Sequence, residues 1–313
     1  VCDVRIVSFL PAATEIAFAL GIGDSVVGVG AECDYPEEAL LRPRVIRRTA
    51  DLSRLTLAEI DRTVSKMMLE GRRMYELDER LLVDLKPDMI IAQSTCDVCS
   101  PSDDIVQEAL AMLPEGVQHI SVNPGSIGGI MKCIIELGRA TGSEERAGVL
   151  VKEMQRRLTE IHRLTRKARR ARTVYLEWPD PPFCSGHWIP EMVEIAGGYD
   201  PLGRKGEDSV RMSIEEVIQC SPEIVVCGAC GFDAERNEKE LSGLKKRMES
   251  RMRGAERMHS IRFSAVDGGS YFARPGPRIV EGVKILAGIM HPELFPQGNS
   301  ECAHPVASED SMA

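Results

Sequence analysis

LKPDMIIAQ at residues 85–93 and CSPEIVVCG at residues 220–228 are two versions of one segment. Laid over one another they match Pro87 with Pro222, Asp88 with Glu223, and Met89-Ile90-Ile91 with Ile224-Val225-Val226. Each is a short apolar run opened by a proline and an acid, which reads as one buried strand of a parallel sheet in each half of the chain. Each is tied to a CxxC pair, Cys96/Cys99 after the first run and Cys227/Cys230 overlapping the second. Ligands of open parallel sheets bind beyond the carboxyl ends of the strands, so both cysteine loops are expected at such an edge.

Working outward, residues 5–8, 26–30 and 118–122 join 88–93 as strands, while 12–20, 55–69 and 104–112 have helical spacing. Residues 128–140 read as a helix closed near Gly142, and Ser143, Glu144 and Glu145 suit the start of another. From Ala147 to Leu164 apolar residues recur at three- and four-residue steps, a stripe of roughly 28 residues or about 40 Å. A helix of that length is expected to brace one lobe against the other. The second half alternates again: a strand at 173–176, helices at 189–196 and 213–219, strands at 223–227 and 261–266, and a helix at 277–290. The fold class is therefore α/β, two similar lobes joined by a long rigid helix with a ligand cleft between them. The divisions are 1–127 for the first lobe, 128–170 for the connecting helices, 171–292 for the second lobe and 293–313 for a mobile tail. The charged span 233–259 is expected to be an exposed helix, and the basic run from Arg163 to Arg172 a solvated face.

Bulk composition narrows the function. The 313 residues suffice for two domains of about 150 each, and 43% hydrophobic content can fill two cores. A net charge of −9 offers no overall field for nucleic acid. No apolar run reaches the ~18 residues a spanning helix needs, so no membrane insertion is expected. Val1 leads almost directly into a strand-like run without a secretory signal, although a first residue other than Met leaves room for an upstream piece. Ten cysteines without a signal read as thiols or ligands in a reducing cytoplasm. No dinucleotide fingerprint, phosphate loop, nucleophile elbow or HExxH motif is present, so the spacing supports no catalytic residue.

The run from Arg5 through Gly21, then Val27-Gly28-Val29 and Asp34-Tyr35-Pro36, resembles the vitamin B12-binding and siderophore-binding family of two-lobed substrate-binding proteins. Lys86-Pro87-Asp88, Pro181-Pro182-Phe183, Ala196-Gly197-Gly198 and Phe272-Ala273-Arg274 follow in that family's order. Glu32-Cys33-Asp34-Tyr35-Pro36, Cys96-Asp97-Val98-Cys99, Phe183-Cys184-Ser185-Gly186-His187-Trp188 and Cys230-Gly231-Phe232 resemble a cobalamin-binding branch whose members often lack an export signal. The resemblance implies a small-molecule ligand, cobalamin or another corrinoid. The absent signal argues against docking on an ABC permease, though not against ligand binding.

A corrinoid is a partly apolar plate with amide arms, which planar side chains can cover while a few polar groups orient it. Tyr35, Trp178, Phe183, Trp188, Phe232, Tyr271 and Phe272 fall at expected strand ends or loops, in a chain with only 4% aromatics. Pro11 opens a helical turn, and Glu32, Cys33 and Asp34 share the loop of Tyr35. Arg274 and Arg278 flank a rigid Pro275-Gly276-Pro277 turn and can meet an amide, a carboxylate, a phosphate or a local acid. His187 suits an axial metal ligand or a hydrogen-bond donor. The alternative is a metal- or cluster-binding enzyme or redox sensor, with Cys33, Cys96, Cys99, Cys230 and His187 holding zinc or an iron–sulfur cluster.

Overall fold

The computed structural model describes residues 4–93, 103–252, 260–296 and 303–306. Cα packing divides the chain into two units, the first made of 1–55, 62–124 and 128–153, the second of 56–61, 125–127 and 154–313.

In the first unit, strand β1 (Ile6–Ser8) leads into α1 (Pro11–Ala19), and β2 (Val26–Val29) follows. A small antiparallel pair, β3 (Ile46–Arg48) and β4 (Tyr75–Leu77), encloses α2 (Leu57–Leu69) in sequence. Then come α3 (Glu79–Leu85), β5 (Met89–Ala92), α4 (Asp103–Met112), β6 (Gln118–Ser121) and α5 (Ile127–Ala140). The sheet is parallel in the order β2-β1-β5-β6. Helix α6 (Glu144–Thr165) has 22 residues, roughly 33 Å, and the division between units falls inside it. It is shorter than its apolar stripe suggested. Ala147, Val151, Met154, Leu158 and Ile161 are buried as expected, but Leu164 is 38% exposed. The chain leaves the helix there because Arg169 pairs with Glu223 and Arg170 donates to the Gly198 carbonyl, which draws the backbone into the next strand.

The second unit holds β7 (Ala171–Pro179), β8 (Pro182–Cys184), β9 (Gly186–His187), α7 (Ile189–Ile195), β10 (Gly198–Tyr199), β11 (Arg204–Lys205), α8 (Ile214–Gln219), β12 (Ile224–Cys227) and α9 (Ala234–Arg251). After β13 (Arg262–Val266) come a one-turn helix, Gly268–Tyr271, the last helix, Ile279–Met290, and β14 (Ala303–Pro305). Its sheet runs β10-β7-β12-β13-β14, with β8 folded back on β7. Two expectations change here. The charged helix α9 is not exposed all round: Leu241, Leu244 and Met248 are fully buried on its inner face. Nor is 293–313 only a tail, because β14 closes the open edge of β13 as an antiparallel strand. Pro305 suits that outermost position, where no further strand needs its missing N–H.

The matched segments of the two units build the same device. Asp78 caps α3 by accepting from Leu81 N at 3.0 Å, and Ser213 caps α8 by accepting from Glu216 N at 3.2 Å. Leu82 and Val217, four residues on, are both fully buried. Each helix ends at a non-glycine residue in the left-handed region, Lys86 at φ 44° and Ser221 at φ 49°, directly before Pro87 and Pro222. The acids then clamp the preceding strand. Asp88 accepts from Arg5 N at 2.8 Å and Arg5 Nε donates to the Leu85 carbonyl at 2.9 Å. Glu223 accepts from Arg172 N at 3.2 Å and Arg172 Nη1 donates to the Cys220 carbonyl at 3.1 Å. The clamps fix Ile6 opposite Met89 and Thr173 opposite Ile224, and so the register of both sheets.

Asp200 holds the outer edge of β7. Its carboxyl accepts from Tyr175 N at 3.2 Å, Ser185 Oγ at 2.7 Å and Leu202 N at 3.0 Å. Burial outweighs these bonds and pushes its pKa up to about 6.

Alanine at Asp88 or Glu223 is expected to lower unfolding free energy in urea by about 1–2 kcal/mol each, whereas Lys86→Gly and Ser221→Gly should be neutral or stabilising because they relieve the positive φ. Because the folded pKa of Asp200 exceeds that of an unfolded aspartate, its contribution is fully present near pH 4 and is lost as pH rises through about 6. Melting of the wild type should therefore gain on that of Asp200→Asn as pH falls from 7 to 5, and a constant difference would contradict this assignment.

Candidate functional site

Strand β7 outruns its sheet and turns back as β8, which makes Trp178 and Phe183 cross-strand partners. The Trp178 ring lies 5.9 Å from that of Phe232, tilted by 59°, and its Nε1 donates to the carbonyls of Leu57 at 3.2 Å and Asp180 at 3.1 Å. The Arg236 guanidinium lies 4.1 Å from the Phe232 ring centre. On the neighbouring ring, Arg211 lies 5.6 Å from the Phe183 centre while its Nη2 meets both carboxylate oxygens of Asp61, at 2.9 and 3.0 Å. All three aromatic residues are half-buried. The carboxyl ends of β7 and β12 thus carry aromatic faces interleaved with guanidinium groups, an arrangement suited to flat or electron-rich ligands.

The loops behind this edge are held by close backbone approaches. A Cβ on Gly228 would lie 2.0 Å from the Tyr175 hydroxyl, and one on Gly268 would lie 2.4 Å from the Ala229 carbonyl oxygen. Asn237 ties the loop to the sheet: its Nδ2 donates to the Val266 carbonyl at 2.9 Å and its Oδ1 accepts from Ala229 N at 3.2 Å. This tight packing turns two expected ligand residues inward. Trp188 is buried with Nε1 donating to the Phe272 carbonyl at 2.8 Å, and Phe272, only 1% exposed, packs on Tyr175 with ring centres 5.3 Å apart. Tyr175 donates to the Gly228 carbonyl at 3.3 Å, and burial raises its phenol well above the usual range, so it stays a neutral donor. Trp188 and Phe272 are core side chains that support the loop.

Tyr271, Arg274 and Arg278 remain half-buried after β13, with the Arg278 guanidinium 5.6 Å from the Tyr271 ring centre. His187 has φ 50°, and its Nε2 lies 3.1 Å from the Asp208 carboxylate. Strand β11 holds its backbone through Lys205 opposite His187.

In the first unit, Pro11 begins α1 and is half-buried. The loop after β2 approaches the β1 backbone so closely that a Cβ on Gly30 would lie 2.5 Å from the Phe9 carbonyl oxygen. Arg44 Nη1 pins the carbonyls of Gly30 at 2.6 Å and Cys33 at 2.7 Å. Glu32 is ion-paired with Arg48, and Asp34 and Tyr35 are exposed. Cys33 corrects the expectation of an edge thiol: its side chain packs among Ala17, Val26 and Val29, with Sγ 4.0 Å from the Ser8 carbonyl oxygen.

The proposed cysteine and histidine ligand set is not assembled among the described residues, where no group of three or more His, Cys, Asp or Glu is placed to hold a metal. Cys96 and Cys99 lie outside the described residues. Cys227 ends β12 fully buried, and burial pushes its thiol up to about 12, so it remains protonated; Cys230 alone of that pair is in the loop. Sequence reasoning missed Arg211, Arg236 and Asn237. Only the four-residue step from Phe232 to Arg236 across the Asp233 cap offered a signal.

Comparison with known proteins agrees with this architecture. A periplasmic binding protein family model matches residues 6–252. The uncharacterized ABC transporter substrate-binding lipoprotein YvrC of Bacillus subtilis is 25% identical over 300 residues, covering 93% of this chain and 81% of that protein. A vitamin B12-binding protein of Yersinia pestis is 25% identical over 224 residues, covering 71% and 68%. The periplasmic heme-binding protein RhuT from Roseiflexus sp. RS-1 superposes with a TM-score of 0.66 at 20% identity, covering 93% and 99% of the two chains. The vitamin B12-binding protein BtuF of Vibrio cholerae gives 0.65 at 20% identity, covering 92% and 96%. At such identity the structural likeness speaks for the fold alone.

These matches overturn the cytoplasmic placement, since the family is periplasmic and the matched Bacillus protein is a lipoprotein. No helix among the described residues is long and apolar enough to cross a membrane. The match of the family model over residues 6–252 makes the chain a member of the periplasmic binding protein family.

Proposed function

We propose that this chain binds a corrinoid or a closely related metal chelate outside the cytoplasm and delivers it to an ABC permease, without catalysing a reaction. The observation that carries the reading is the aromatic edge of the second unit, where Trp178, Phe183 and Phe232 lie half-buried with Arg211 and Arg236 against two of the rings. A corrin plate offers a large partly apolar face to such rings, and its amide arms accept from guanidinium donors. Tyr271, Arg274 and Arg278 follow β13 and His187 ends β9 in the same unit, and they would fix the plate's orientation. Within the first unit, Pro11, Glu32, Asp34 and Tyr35 stand at the carboxyl ends of β1 and β2. The resemblance to vitamin B12-binding proteins supports a corrinoid; the fold neighbours that bind haem make haem the competitor to exclude.

Titration with cyanocobalamin, cobinamide and haemin, followed by absorbance and calorimetry, separates these ligands. Saturable corrinoid binding is expected, weakened about tenfold or more by Trp178→Ala or Phe232→Ala. Saturation by haemin with no response to either corrinoid would refute the assignment.

A further inference from the structure

The charged side chains of the basic run, from Arg163 to Arg172, are exposed, as a solvated face should be. Three of its arginines, Arg169, Arg170 and Arg172, line a concavity of about 520 Å³ with Tyr199, Pro201, Cys220 and Glu223. It lies at the amino ends of β7 and β12, the opposite end of the strands from the aromatic edge.

The three guanidinium groups differ in their partners. Arg169 is neutralised by Glu223. Arg170 instead donates Nε at 3.0 Å and Nη2 at 2.7 Å to one neutral acceptor, the Gly198 carbonyl. Arg172 donates Nη1 at 3.1 Å to the Cys220 carbonyl. Neither guanidinium, of Arg170 or Arg172, is in an ion pair among the described residues, though Glu223, which accepts from Arg172 N, lies close enough to feel the Arg172 charge. Backbone carbonyls therefore hold two cations in fixed orientations while leaving further N–H donors of each fork unused. Tyr199, 51% exposed, stands beside them with its ring centre 5.9 Å from the Arg170 guanidinium carbon.

We infer that this concavity binds a phosphate-class anion through Arg170 and Arg172, with Tyr199 as a further hydrogen-bond donor. A tetrahedral oxyanion can take two N–H bonds from each fork, and such pairs combine charge with direction. The anion's source is either a free phosphate compound or the phosphate of a lipid headgroup, which share the same chemistry.

The test uses the whole chain in chloride buffer. Inorganic phosphate and pyrophosphate are titrated by calorimetry and thermal melting, and phosphatidylcholine vesicles with and without phosphatidylglycerol by flotation. Saturable binding of the free anions, or flotation that requires phosphatidylglycerol, is expected and identifies the source. Arg170→Gln should weaken that response about tenfold or more while leaving corrinoid titration unchanged. Arg170→Lys, which keeps the charge and loses the fork, should be several-fold weaker and decides the matter if the glutamine variant does not fold. No saturable response from any arm, or equal affinity in the Lys variant and the wild type, overturns the inference.

Discussion

An arginine at the head of one strand, locked to an acid at the head of the next, is the constraint on which both units depend. Arg5 with Asp88 and Arg172 with Glu223 fix backbone and side chain together, since each acid accepts from its arginine's backbone N while the guanidinium reaches back to the preceding helix end. Parallel strands have no hairpin turn to set their register, and a slip of one residue would exchange the two faces of the sheet. The clamps prevent that slip at the amino ends. They thereby determine where the carboxyl ends emerge and which side chains the loops carry.

From the clamped register, the two units diverge. The first keeps short strands and closes its β1 and β2 ends with Gly30, Arg44 and a buried Cys33. The second extends β7 by several residues and folds β8 onto it, placing Trp178 and Phe183 side by side beyond the sheet. Asn237 and Asp200 then anchor the flanking loops with buried hydrogen bonds, each using several acceptor or donor positions at once. Such saturated polar anchors hold loops more firmly than exposed ion pairs do. Side chains already held in place lose less freedom when a ligand arrives.

Much of this was legible in the chain itself. The overlay of 85–93 on 220–228 found one strand of each sheet, but not the clamps, because nothing in either segment names Arg5 or Arg172 as the partner of its acid. The alternation of periodicities found the main strands and helices to within a few residues. The small pairs β3 with β4 and β9 with β11 were missed, since strands of two or three residues are too short for their alternation to stand out. Cys33, Trp188 and Phe272 were placed at the edge because they follow strands in sequence, yet sequence order does not say which way a loop side chain turns. Gly30, Gly228 and Gly268 allow backbones to meet so closely that the neighbouring large side chains go inward. Compartment was misread for a different reason: cysteine content and the opening residues describe chemistry, whereas the family match carries the cellular setting.

The aromatic edge of the second unit is the proposed seat of the chelate. Cobalt scatters anomalously, so crystals grown with saturating cobalamin locate the metal without any assumption about the fold. The expected result is a cobalt peak above the corrin contact made by Trp178 and Phe232. A peak against another part of the chain would contradict it, as would a fully occupied corrinoid that leaves both rings uncovered.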